Sequence, residues 1–98
     1  KVRDSAPSKY GDSAVVRNSL VSDGCIVEGT VENSILFRGV KVGKGSVVKN
    51  SIIMQDTVIG ENVNLNCVVT DKNVVIRDRR MLSGCEIQPY FLPKGSMV

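Results

Sequence analysis

Histidine is missing from this 98-residue sequence. Its absence excludes an imidazole base, a Ser–His or Cys–His nucleophile pair and any His-ligated metal. Tryptophan is missing too, and the only aromatics are Tyr10, Phe37, Tyr90 and Phe91. Nucleic-acid binding needs stacking aromatics and a basic stripe, whereas 13 Lys and Arg against 10 Asp and Glu leave a net charge of only +3. No apolar run is long enough for a membrane span, and no signal-peptide pattern opens the chain. Cys25, Cys67 and Cys85 form no Cys-x-x-Cys motif, and an odd, unpaired set suits a reducing, cytoplasmic setting. Phosphate-loop and dinucleotide glycine motifs are absent, and the sparse carboxylates follow turn positions rather than forming acid–base pairs. No catalytic residue, metal site or cofactor is expected in this chain.

What the chain has instead is a repeat. Between Ala14 and Ile76 it places, twelve times, a mostly small residue, skips one, and places an aliphatic. The pairs are Ala14/Val16, Ser19/Val21, Cys25/Val27, Gly29/Val31, Ser34/Leu36 and Val40/Val42, followed by Ser46/Val48, Ser51/Ile53, Thr57/Ile59, Val63/Leu65, Cys67/Val69 and Val74/Ile76. Residues two apart share one side of a strand, so each pair reads as a short strand with one inward face. Taking every third pair gives a period of 15 to 17 residues, holding three strands and no helix. A β-solenoid with three flat sides satisfies that period. Four coils at a strand spacing of roughly 4.8 Å make a prism about 20 Å tall.

The residue before each pair falls at a corner, where positive φ is often needed. One corner carries Asn18, Asn33, Asn50 and Asn66, and the next Gly24, Gly39, Asp56 and Asn73; the third carries Ser13, Glu28, Gly45 and Asn62. Gly, Asn and Asp are the residues that tolerate the left-handed region. The Asn column is also placed to form a hydrogen-bonded ladder from coil to coil. Residues 1–13 read as a linker or lead-in, 14–76 as the coils, and 77–98, with Pro89 and Pro93, as a C-terminal cap or edge segment.

Outward positions differ between the sides. One side shows Leu20, Ile35, Ile52 and Val68, with Phe37 and Met54 two positions further along their strands. A contiguous apolar column on an outer face marks an interface unless the C-terminal tail folds over it. The adjoining corner carries Asp23, Arg38, Gln55 and Lys72, with Lys41 and Arg77 nearby. Cations beside backbone turns suit an anion, so Lys72, Arg38 and Arg77 are candidate ligands.

The coils resemble the hexapeptide-repeat, left-handed parallel β-helix; the hand comes from that resemblance alone. The run VENSILFRGVKVGKGSVVKNSIIMQDTVIGENVNLNCVVTDKNVVIRD is similar to the C-terminal domain of bacterial glucose-1-phosphate adenylyltransferase (ADP-glucose pyrophosphorylase). Within that family, ENSILFRGVKVGKG and the lead-in KVRDSAPSKYG most resemble the GlgD-type subunit. The resemblance implies an N-terminal nucleotidyltransferase-like domain beyond this chain, and a homo- or heterotetramer built with other adenylyltransferase subunits. It implies a non-catalytic regulatory and oligomerisation role in glycogen biosynthesis, and a phosphorylated allosteric effector. Lys72, in the Asp-Lys-Asn segment, matches a lysine implicated in activator binding in related plant enzymes. Some bacterial members carry arginines where this chain has Asn66 and Cys67, a departure that bears on the effector. A hexapeptide acyltransferase is the alternative on the same solenoid, although those enzymes usually rely on a histidine base.

Overall fold

A computed structural model describes residues 7–98; the part of the expected linker at residues 1–6 lies outside the described residues. Strand β1 (Lys9–Tyr10) precedes a first coil of β2 (Val15–Arg17), β3 (Leu20–Val21) and β4 (Ile26–Val27). The second coil is β5 (Thr30–Glu32), β6 (Ile35–Leu36) and β7 (Lys41–Val42), and the third is β8 (Val47–Lys49), β9 (Ile52–Ile53) and β10 (Val58–Ile59). The fourth is β11 (Asn64–Asn66), β12 (Val68–Thr70) and β13 (Val75–Ile76), followed by β14 (Met81–Ser83) and β15 (Tyr90–Leu92). Each strand pairs in parallel with the strand three places on, giving three five-stranded sheets around one axis. This is a parallel β-solenoid of four complete coils with a further rung.

Inward aliphatics stack rung over rung because parallel register puts equivalent residues directly above one another. Tyr10, Val27, Val42, Ile59 and Ile76 form one file, in register through all four pairings. Val16, Val31, Val48, Leu65 and Leu82 form a second. From Val27 to Ile76 these side chains are essentially sealed from water. Each fully buried aliphatic contributes about 1.5–3 kcal/mol, so the files are a large favourable term in stability.

The small residue of each pair has a second task. Ser34, Ser46 and Ser51 are buried, and their hydroxyls accept from the backbone of the next rung: Ser51 N at 3.0 Å, Val63 N at 3.0 Å and Val68 N at 3.1 Å. These bonds satisfy amides just past each corner, where the ladder is interrupted by the bend. Among the described residues, no buried side-chain nitrogen or oxygen lacks a partner.

Most corners behave as their residue types require. Positive φ occurs at Asn18, Asn33, Asn50, Gly24, Gly39, Asp56, Asn73, Gly45 and Asn62. Ser13 and Glu28 do not adopt it. At Glu28 the connection is shorter: two residues join β4 to β5, whereas Gly43–Ser46 join β7 to β8. That tight passage requires Gly29, where a Cβ would overlap the Ser46 carbonyl oxygen and come within 2.8 Å of Gly43 O.

The register differs from the sequence reading in the fourth coil. Strand β11 runs on to Asn66, which pairs with Lys49, so the bend falls at Cys67 (φ 56°) rather than Asn66. The shift of one residue is confined to β12, since Asn73 and the inward pair Val74/Ile76 keep their expected places. Val68 is therefore buried, not outward, and Val69 takes the outward position, opposite Ile52. Cys67 leaves the small inward slot for the corner, and Thr70 fills the inward place above Ile53. Its hydroxyl is accommodated there by accepting from Met54 N at 3.1 Å.

The repeat also outlasts Ile76, where the sequence reading ended it. Arg79 takes positive φ (61°) above Asn62, β14 and β15 add a rung to two sheets, and Met97 bridges Val75 on the third. The last 22 residues thus run along the edge of the solenoid, and only the loop at residues 84–89 reaches the margin of the apolar side.

Candidate docking face and cationic corner

The sheet β3–β6–β9–β12–β15 carries an unbroken outward apolar column. Leu20, Ile35, Ile52, Val69 and Phe91 lie in register, one per rung. Leu20 is 68% exposed, Ile52 39% and Phe91 57%, so the column faces solvent. Phe37 and Met54 are half-buried beside it. Of the six residues expected to form this face, Leu20, Ile35, Phe37, Ile52 and Met54 belong to it and Val68 does not.

Two features bound the column. Along one corner the Asn side chains form the expected ladder: Asn18 Nδ2 donates to Asn33 Oδ1 (2.5 Å), Asn33 to Asn50 (3.4 Å) and Asn50 to Asn66 (2.9 Å). Asn66 joins from one residue before the bend. Outside it, Arg17 and Lys49 both pair with Glu32, at 2.6 and 3.9 Å. Above the ladder, residues 84–89 replace an ordinary bend and stand out as a loop. Its Cys85, Glu86 and Pro89 wall a groove of about 390 Å³ floored by Ile35, Ile52 and Val69. Sequence reasoning missed this wall, although the signal was present: six residues lie between Ser83 and Tyr90, where one or two join the corresponding strands of the coils below.

The opposite corner holds the cations. Gly39 N donates to Asp23 O, Asp56 N to Arg38 O, Asn73 N to Gln55 O and Gly95 N to Lys72 O, so these turns stack directly. The residues ahead of the stacked turn positions are therefore Asp23, Arg38, Gln55, Lys72 and Lys94. Lys94 was not anticipated, yet Lys94-Gly95 repeats the pattern of Arg38-Gly39 and Lys72-Asn73. Lys72 and Lys94 occupy adjacent rungs, roughly 4.8 Å apart along the axis, and Arg38 lies two rungs below Lys72. Arg77 is not with them. It sits past the other end of β13, where its Nε donates to Val98 O at 3.2 Å. Lys41 faces outward on the sheet between those two corners. Arg38, Lys72 and Lys94 are exposed, and none has a carboxylate partner among the described residues. The backbone N–H of Lys72 donates to Asp71 Oδ1 at 2.7 Å.

The remaining polar chemistry is structural. Cys25 points inward, its Sγ donating to Phe37 O at 3.2 Å, and burial pushes its thiol pKa up. Among the described residues no three His, Cys, Asp or Glu side chains gather as a metal site, and no helix is long and apolar enough to cross a membrane.

A stacked solenoid with Asn, Gly and small-residue corners matches one family model over most of its length: GlmU-like, C-terminal hexapeptide, at residues 5–87. The chain belongs to that family. Among curated relatives of this hexapeptide domain, the glycogen biosynthesis protein GlgD of Bacillus subtilis (strain 168) is 53% identical over 97% of the chain and 28% of the relative. GlgD of Geobacillus stearothermophilus is 47% identical over 99% of the chain and 28% of the relative. A glucose-1-phosphate adenylyltransferase of Acetivibrio thermocellus is 37% identical, over 94% of the chain and 23% of the relative. The hexapeptide domain thus spans about a quarter of the length of the curated relatives it matches.

Proposed function

We propose that this domain is a regulatory and assembly unit of a glucose-1-phosphate adenylyltransferase complex in glycogen biosynthesis, and that it is not itself catalytic. The complete complex would convert ATP and glucose 1-phosphate to ADP-glucose and pyrophosphate. The observation that carries this reading is the 53% identity to a protein named for glycogen biosynthesis, sustained along 97% of the chain. The chemistry of the surface supports it. A histidine-free solenoid with an apolar outer column is suited to holding other protein surfaces rather than to bond-making. Its partners on this reading are an N-terminal nucleotidyltransferase-like domain and neighbouring subunits, packed against the column of Leu20, Ile35, Ile52, Val69 and Phe91. The row of Lys72 and Lys94, with Arg38 below, receives a phosphorylated effector.

Two measurements on the full-length subunit, co-expressed with a catalytic partner, test the two surfaces separately. Replacing Ile35 and Ile52 by Asp puts two charges on the apolar face and is expected to shift the complex toward smaller species in sedimentation. Unchanged assembly would remove the face from the proposal. Replacing Lys72 by Ala deletes one charge-assisted contact and is expected to weaken effector response about tenfold while assembly stays intact. An unaltered response would show Lys72 to be ordinary solvated surface.

A further inference from the structure

The fourth corner of the Asn column is occupied by a cysteine, and a second cysteine follows in the rung above it. We infer that Cys67 and Cys85 form a thiol pair that closes to an intramolecular disulfide on reaction with a small-molecule disulfide such as oxidised glutathione. Nothing in the proposed assembly role requires this, and it stands on separate observations.

The register places the two residues next to each other. Asn66 pairs with Ser83, and Gly84 N donates to Asn66 O at 2.9 Å, so Gly84 lies directly above Cys67 and Cys85 is one residue further on. One strand spacing combined with one Cα step gives a Cα separation of about 6 Å, inside the window of roughly 4.4–6.8 Å that a disulfide spans. The residue above Cys67 is Gly84, which places no side chain of its own between them. A Cβ there would approach Cys67 O at 2.8 Å. Both cysteines line the same groove beside Ile52 and Val69. Neither sulfur is committed elsewhere: Cys67 Sγ lies 3.8 Å from Asn66 Oδ1 and Cys85 Sγ 3.9 Å from Gln88 O, both weak contacts. Both thiols are free.

Their exposure assigns the order of events. Cys85 is exposed and Cys67 is 9% exposed, so Cys85 meets the reagent first. Its thiolate attacks one sulfur of the small disulfide, forming a mixed disulfide and releasing one small thiolate. The Cys67 thiolate then attacks Cys85 Sγ, forms the Cys67–Cys85 bond and expels the second small thiolate. Two protein thiols are oxidised and one disulfide is reduced to two thiols, which take up the two protons released. Closure pins residues 85–89 to the corner and fixes the wall of the groove. Cys25 takes no part, being sealed in the core.

The test uses the whole chain in a glutathione redox buffer, quenched with acid, alkylated under denaturing conditions and digested with trypsin without reduction. The two cysteines fall on separate peptides, Asn50–Lys72 and Met81–Lys94. The expected result is a linked pair of these peptides, an intact mass lower by about 2 Da, and loss of both alkylation sites. Cys25→Ser should leave the link intact and Cys85→Ser should abolish it. Cys67→Asn should also abolish it and still fold, because Asn occupies the three equivalent corners below. Recovery of Cys85 only as a glutathione adduct or an intermolecular dimer, with Cys67 fully alkylated, would overturn the pairing. A link between Cys25 and either partner would overturn it equally.

Discussion

At the scale of single residues, side-chain size and backbone tolerance decide who occupies each slot. Cys25 illustrates the cost of a polar atom in the inward position. Burial raises its thiol pKa, and its proton is used in the bond to Phe37 O. As pH climbs past about 8.5, the ordinary thiol value, the unfolded chain releases this proton before the folded one does. The unfolded state then binds fewer protons, so stability falls with pH. Below that range Cys25 is protonated in both states and contributes no slope. Denaturant titrations between pH 7 and 10 should therefore show a steeper alkaline loss for the wild type than for Cys25→Ala. Equal slopes would mean that another group carries the alkaline sensitivity. The corner residues were largely legible from type alone, since few side chains other than Asn and Asp join Gly in the left-handed region. Cys67 and Arg79 were not, because nothing in a cysteine or an arginine advertises positive φ.

At the scale of the element, a turn is defined by what passes above and below it. The two-residue connection at Glu28 and Gly29 is read wrongly from sequence, as an ordinary corner with an off-type Glu. It is a shortened passage, and its demand falls on Gly29, which packs against the carbonyls of Ser46 and Gly43 in the next rung. Gly29→Ala should destabilise the chain by about 1–3 kcal/mol, the usual cost of forcing extra volume into a packed site. Equilibrium denaturation would register this as a lower midpoint at unchanged slope. A neutral result would mean that the rung above gives way. The loop at residues 84–89 follows the same principle from the other side. Closed by its own backbone bonds between Cys85 and Gln88, it projects and becomes the wall of the groove, a consequence of position that its composition does not announce.

For the whole molecule, stability is one-dimensional. Every strand is hydrogen-bonded only to the rungs above and below, so each coil depends on its neighbours, and the end rungs depend on one neighbour only. Hydrogen exchange should accordingly be slowest at the amides of Val42, Val48, Ile53 and Ile59 and fastest toward Lys9, Tyr10 and Met97. A flat protection profile would show that the solenoid opens as a single cooperative unit instead. The same geometry separates the two candidate surfaces. The apolar column occupies a flat side, where five rungs align their outward residues. The cations occupy a vertex, where Lys72 and Lys94 stack but Arg77, one vertex further round, cannot reach them.

By itself the sequence determined the winding: three short strands per coil, aliphatics inward, and Asn or Gly where the chain must turn. Those properties are local, fixed by the two-residue alternation of a strand and by the φ preferences of individual residues, so they survive without coordinates. Register is not local. Whether Val68 or Val69 faces the core was decided by the pairing of Asn66 with Lys49, because a slip of one residue exchanges the two faces of a strand. Only the stacked structure could therefore say which side chains share the docking face, that Lys94 belongs with Lys72, and that Cys85 follows the glycine stacked on Cys67.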